Sequence, residues 1–199
     1  MQNKIAILLP YKENYNIDKA GAASIWVKDY LKLSKLKNNT VVYGSLDKTL
    51  KPLTKNFKNI DISKTILSKN IYYTKQLLQE YQKNRFSIIE IHNRPESLLY
   101  MIRNKVLSKL IFVFHNNPQD MRGSVSTKER MFIAENTDYI YFVSNWVKKK
   151  FFVWDKKSRT KYHVSPRWQG AHPYDGEKPN VQKIWGVVVF PQHCRQEHV

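Results

Sequence analysis

Short apolar runs rich in β-branched residues alternate with segments whose apolar residues recur at helical spacing, and this alternation restricts the fold more than any other feature. The first run, Lys4-Ile5-Ala6-Ile7-Leu8-Leu9, is continuous and stops at Pro10, the pattern of a strand buried on both faces. Residues 11–21 are polar and carry Asn14, Asn16 and Asp18, a loop. They feed a helix in which Ala22, Ala23, Ile25, Trp26, Val27, Tyr30, Leu31 and Leu33 form the apolar set. Residues 40–44 read as a second strand and residues 57–62 as a weaker third. Tyr72, Tyr73, Leu77, Leu78 and Tyr81 make one stripe of a helix whose other face carries Lys75, Glu80 and Lys83. A fourth strand is expected over 87–91, a helix over 96–107 opened by Pro95, and a fifth strand over 110–114. Met131 to Ala134 belong to a short helix, residues 139–143 to a sixth strand, and Ser144-Asn145 to an N-cap for a helix over 146–152.

Strands alternating with helices specify parallel βαβ units, so the expected fold class is α/β: a three-layer α/β/α Rossmann-like domain over residues 1–152 with a mostly parallel sheet. In such sheets ligands bind beyond the carboxyl ends of the strands. The polar clusters fall at those ends.

Composition narrows the class further. In 199 residues, 42% are hydrophobic and 13% aromatic, enough for a packed core and against disorder. The single cysteine, Cys194, excludes a disulfide framework or a cysteine-based zinc site and fits a reducing, cytoplasmic setting. No apolar run approaches the twenty or so residues of a membrane span, so any membrane contact is expected to be peripheral, at the inner face. The net charge of +18 favours anionic partners without choosing among nucleic acid, phosphorylated substrates and anionic lipid. Lysine is scattered through every segment, which equally fits a general compositional bias.

Three clusters can carry chemistry. Lys19-Ala20-Gly21-Ala22-Ala23-Ser24 puts small residues at a loop-to-helix junction, where backbone amides can approach a phosphate or where the helix simply packs closely on the first strand. His92-Asn93-Arg94-Pro95-Glu96 follows the fourth strand: His92 is suited to act as a base or to orient a hydroxyl, and Arg94 to fork onto a phosphate or carboxylate. Pro95 suits a first helical position, and Glu96 the positive end of the helix dipole. His115-Asn116-Asn117 after the fifth strand repeats the polar pattern on the same edge. No third ligand accompanies the two histidines at metal-binding spacing, so no metal is expected. Lys148-Lys149-Lys150 before Phe151-Phe152 reads as a solvated helix face more than as a membrane element. No phosphate-binding P-loop, nucleophile elbow or dinucleotide fingerprint occurs.

Five elements together, Lys4-Ile5-Ala6-Ile7-Leu8-Leu9-Pro10, Gly21-Ala22-Ala23, Ile89-Glu90-Ile91-His92-Asn93-Arg94-Pro95-Glu96, Phe112-Val113-Phe114-His115-Asn116 and Phe142-Val143-Ser144-Asn145-Trp146, resemble the N-terminal, acceptor-side domain of family 4 glycosyltransferases of the GT-B fold. The likeness covers about the first 150 residues. It implies a transferase that moves a sugar from a nucleotide sugar to a glycan or lipid-linked acceptor in cell-surface polysaccharide synthesis, with retention and without a cofactor or metal. Gly21, Ala22 and Ala23 would face the donor phosphate or sugar. His92 would be the catalytic residue beside the transferred sugar or acceptor hydroxyl, and Asn93, Arg94, Glu96, His115 and Asn116 would line the acceptor side.

Residues 153–199 differ in composition: they hold three of the five Trp, four of the six His, four of the eight Pro and the only Cys, with one Ile and one Asn. They are expected to form an irregular tail with one strand-like run over 185–190, and to reflect a truncation or a shifted reading frame; a genuine extension is the competing reading. The family's donor-binding domain has no counterpart there, so the chain alone is expected to be inactive. Two alternatives of other classes are a basic nucleic-acid-binding α/β module and the acceptor-half partner subunit of a split transferase. Against the first, Trp26, Tyr72, Tyr73 and Tyr81 lie at core spacing.

Overall fold

A computed structural model describes residues 4–47, 49–62 and 68–153 and the strand Trp185–Val187. Seven parallel strands, β1 (Ile5–Leu8), β2 (Thr40–Gly44), β3 (Phe57–Asn59), β4 (Ile88–His92), β5 (Lys109–Phe114), β6 (Tyr139–Phe142) and β7 (Trp185–Val187), form one sheet in the order β3-β2-β1-β4-β5-β6-β7. The helices are α1 (Ala22–Leu33), α2 (Lys69–Asn84), α3 (Pro95–Arg103), α4 (Thr127–Asn136) and α5 (Asn145–Phe151). This is the expected three-layer Rossmann-like arrangement. The strand order reverses direction between β1 and β4, so the crevice of the topological switch opens beyond the carboxyl ends of those two strands.

Alternation along the strands divides the core. Ala6, Leu8, Ile89, Ile91, Phe112, Phe114, Ile140 and Phe142 pack against α2, α3, α4 and α5 on one face. Ile5, Ile7, Leu9 and Val42 pack against Ala23, Val27 and Leu31 of α1 on the other. Because successive strand residues face opposite ways, Ile89 and Ile91 on the first face put Ile88, Glu90 and His92 on the α1 face. A polar strand end therefore lies under α1.

Helix boundaries follow local chemistry. Ser126 caps α4 in a reciprocal capping box with Glu129, which starts the helix at Thr127, and the helix contains the expected residues 131–134. Ser144 accepts from the Val147 amide and caps α5, as its position before the apolar run predicts. The third helix ends at Arg103 rather than 107, because Lys105 adopts φ 50° and the Asn104 amide side chain bonds the Tyr100 carbonyl. The third strand is confined to Phe57–Asn59, at the sheet edge. Gly123, at φ 92°, is required twice: the left-handed backbone disfavours a side chain, and a Cβ would come within 3.1 Å of the Glu96 amide nitrogen. Of the strand-like run at 185–190, residues 185–187 form β7 and pair with β6; the rest of 154–199 lies outside the described residues.

Candidate functional site

The fourth strand runs one residue further than its apolar pattern suggests, so His92 is its last residue and is fully buried rather than standing beyond it. The register sets His92 opposite Val113 of β5, which leaves His115 just past the end of β5 and beside it. His92 Nδ1 lies 2.9 Å from His115 Nε2, and His92 Nε2 lies 2.6 Å from Glu90 Oε1. Glu90 is itself buried, at 7% exposure. Three ionisable side chains thus form one hydrogen-bonded line running from inside the sheet to its edge. Burial, reinforced by the adjacent His92 ring, pushes the His115 imidazole from its ordinary 6.5 down to about 3. His115 is neutral at physiological pH.

Trp26, about one turn into α1, packs over the two histidines. Its ring stands edge-on to His92, with centroids 5.2 Å apart, and to His115, at 6.2 Å and 89° between planes. Tyr30, one turn further along α1, stacks on the indole. Sequence periodicity assigns Trp26 to the core; the structure leaves it half-buried at the crevice.

The neighbouring loop residues have mainly structural partners. Asn93 adopts φ 53°, donates its amide to the Val113 carbonyl, and through Oδ1 accepts from the amides of His115 and Asn116, tying the β4 and β5 ends together. Asn116 itself is exposed. Arg94 donates from Nη1 to the Asn93 carbonyl and lies over the Tyr11 ring, while its Nε is buried without a hydrogen bond among the described residues. Glu96 is committed elsewhere: it pairs with Arg122 at 3.0 Å and accepts from Asn70 at 2.8 Å.

At the start of α1, Gly21 is the N-cap residue, Ala22 is exposed and Ala23 is buried in the core. The Glu13 carboxylate lies against Gly21 and accepts from the Ser24 amide at 3.4 Å. An acidic side chain from the β1–α1 loop therefore occupies the position at the helix N-terminus that favours an anion.

A separate cleft of about 230 Å³ opens between α2 and the ends of β2 and β3, lined by Tyr43, Lys58, Ile60, Tyr72 and Glu80 among others. It lies on the opposite face of the sheet from the histidines, and Tyr43 and Lys58 are already bonded to Glu80. Among the described residues no group of three His, Cys, Asp or Glu side chains is arranged to hold a metal ion, and no helix is long and apolar enough to cross a membrane.

Sequence patterning missed Glu90 and Trp26. The first carried a signal: a carboxylate inside an otherwise apolar buried strand, two residues before a histidine, has to share that histidine's face.

The fold and its ligand edge define a Rossmann-like α/β domain with a histidine pair at the topological switch. No protein-family model and no curated protein matches the chain. Among solved structures it is similar to a sucrose-phosphate synthase from Thermosynechococcus elongatus, with a TM-score of 0.53 and 13% sequence identity over 95% of this chain and 48% of that one. The likeness is one of fold, and the chain spans about half of the synthase's length.

Proposed function

We propose that this chain is the acceptor-side half of a GT-B glycosyltransferase of the family 4 type. In this reading it moves a sugar from a nucleotide sugar to a glycan or lipid-linked acceptor in cell-surface polysaccharide synthesis. The observation that carries the reading is the hydrogen-bonded His92–His115 pair under the Trp26 edge, at the carboxyl ends of β4 and β5 beside the switch. A neutral imidazole offers a nitrogen lone pair to a sugar hydroxyl, and an indole beside it offers an apolar surface to the sugar's C–H face. The shared fold with an enzyme named for making sucrose phosphate supports the same class of chemistry.

His115, at the edge of the crevice, meets the hydroxyl, and His92 acts through it. In this reading Arg94 receives an anionic group of the acceptor, which would give its buried, unbonded Nε a partner. The donor is gripped mainly by an opposing domain, in the same polypeptide or in a partner chain, and Glu13 leaves the α1 N-terminus when the donor phosphate arrives. No metal or cofactor takes part in this scheme. The basic surface suits work at an anionic membrane face.

Saturation-transfer NMR on the whole chain with a panel of nucleotide sugars, oligosaccharides, RNA and DNA tests the reading. A saccharide signal that disappears in Trp26→Ala is expected. Binding of nucleic acid alone, weakening steeply with salt, would replace the proposal with the nucleic-acid module.

A further inference from the structure

We infer that Glu90 is a positioning residue that fixes the proton order along the Glu90–His92–His115 line, so that His115 presents Nδ1 as a bare acceptor toward the crevice. The inference rests on the proposed sugar-transfer reading only for what Nδ1 meets there.

Counting the protons along the line fixes their order. An ionised carboxylate can only accept, so at 2.6 Å His92 Nε2 must donate to Glu90 Oε1. We take His92 to carry a single proton, and with that proton on Nε2 its Nδ1 is a lone pair. The 2.9 Å contact is a hydrogen bond only if His115 Nε2 donates into that lone pair. His115 is neutral as well, so its one proton is spent on Nε2. Nδ1 is left as the one ring nitrogen in the line without a hydrogen bond among the described residues. A carboxylate buried two strand residues back thereby sets the chemistry of an atom on the far ring of the line.

The same wiring handles a proton. When a hydroxyl gives its proton to His115 Nδ1, the Nε2 proton passes to His92 Nδ1. As the one proton arrives and the other leaves together, His115 stays neutral with its proton now on Nδ1, and His92 becomes the imidazolium, still donating through Nε2 to the Glu90 carboxylate. One proton enters, one shifts, and the positive charge comes to rest beside the negative one. His115, which burial makes a poor base by itself, then never has to hold the charge. The other ionisable groups facing the line are Tyr141 on β6, whose hydroxyl is pushed up by burial and by the Glu90 charge, and Tyr30 on α1. The raised Tyr141 hydroxyl stays neutral near pH 7.

The test is histidine ring NMR on the full chain with 15N-labelled histidine, with signals assigned through His92→Gln and His115→Gln. At pH 7.5 the His115 ring is expected to show a pyridine-type Nδ1 and a protonated Nε2, with that tautomer in about tenfold excess or more, since reversing it leaves a buried group unbonded. In Glu90→Leu both His115 tautomers should be populated. Glu90→Met, which keeps much of the side-chain volume and offers His92 no oxygen acceptor, gives the same readout if the leucine variant does not fold. A protonated Nδ1 on His115 in the parent chain, or a tautomer ratio unmoved in a folded Glu90 variant, overturns the inference. Because the readout needs no substrate, it stands or falls separately from saccharide binding, which tests the functional reading.

Discussion

Trp26 and His115 meet edge to face, with ring planes at 89° and centroids 6.2 Å apart, so a helix residue and a strand-end residue form two walls of one crevice. Removing either wall should affect ligand binding more than folding. Trp26→Leu is expected to weaken saccharide binding by roughly 3- to 10-fold, the range an aromatic contact contributes, while Trp26→Phe retains most of it. Isothermal titration of the three proteins checks this. Equal affinity in all three would remove the indole from the site.

The depressed His115 gives a stability prediction with a defined sign. Its folded value, about 3, lies below the ordinary 6.5 of an unfolded chain, so protons bind the unfolded state preferentially and stability falls as pH falls. The loss from this ring begins near pH 6.5 and has a slope of about 1.4 kcal/mol per pH unit. Between pH 6.5 and 5, before most carboxylates titrate, urea unfolding of His115→Gln should show a slope shallower by about that amount. Parallel curves for the two proteins would show that the ring titrates normally.

Glu13 and Gly21 act as a unit, because a Cβ at position 21 would collide with the Glu13 carboxylate. Glu13→Ala is expected to cost about 1 kcal/mol, typical of a lost helix N-terminal acceptor. Gly21→Ala should cost a similar amount by expelling the same carboxylate, since the Gly21 backbone, at φ −80°, suits alanine. The double variant should be no less stable than Glu13→Ala alone. A double-mutant cycle by thermal unfolding measures this coupling, and full additivity would mean that the contact is not shared.

Arg130 is buried, at 3% exposure, and donates to the carbonyls of Phe151 at 2.8 Å, Ser124 at 3.1 Å and Val153 at 2.6 Å, holding the chain after α5 against the start of α4. Arg130→Met keeps much of the volume and strips the donors. A destabilisation of at least about 3 kcal/mol is expected, because several carbonyls are left buried and unbonded. A drop in the urea midpoint at constant m-value reads it out.

How much of this was legible beforehand depends on range. Runs such as residues 4–9 and 110–114 are apolar enough to declare buried parallel strands, and their alternation with helices fixes the layers. The cap at Ser144 is readable because it is local, and the Ser126–Glu129 box, with its Ser-x-x-Glu spacing, is equally local. The site was only half legible. That His92 and His115 share one edge follows from strand ends. That they touch depends on the His92–Val113 register, which no short-range pattern encodes. Glu96 shows the converse: its place in the first turn of α3 is local, but its ion pair with Arg122 comes from a loop 26 positions along the chain (96 to 122) and commits it to structure.

The central claim, that a saccharide binds against Trp26 and His115, is tested most directly by titrating the full chain with a saccharide identified in the binding screen while following the Trp26 indole and His115 ring signals. The account predicts saturable shifts at these two rings and at the Asn93 and Arg94 amides, with little change on the α2 face around Tyr43. Saturable shifts on the α2 face alone, or none at Trp26 and His115 while the saccharide binds, would contradict it.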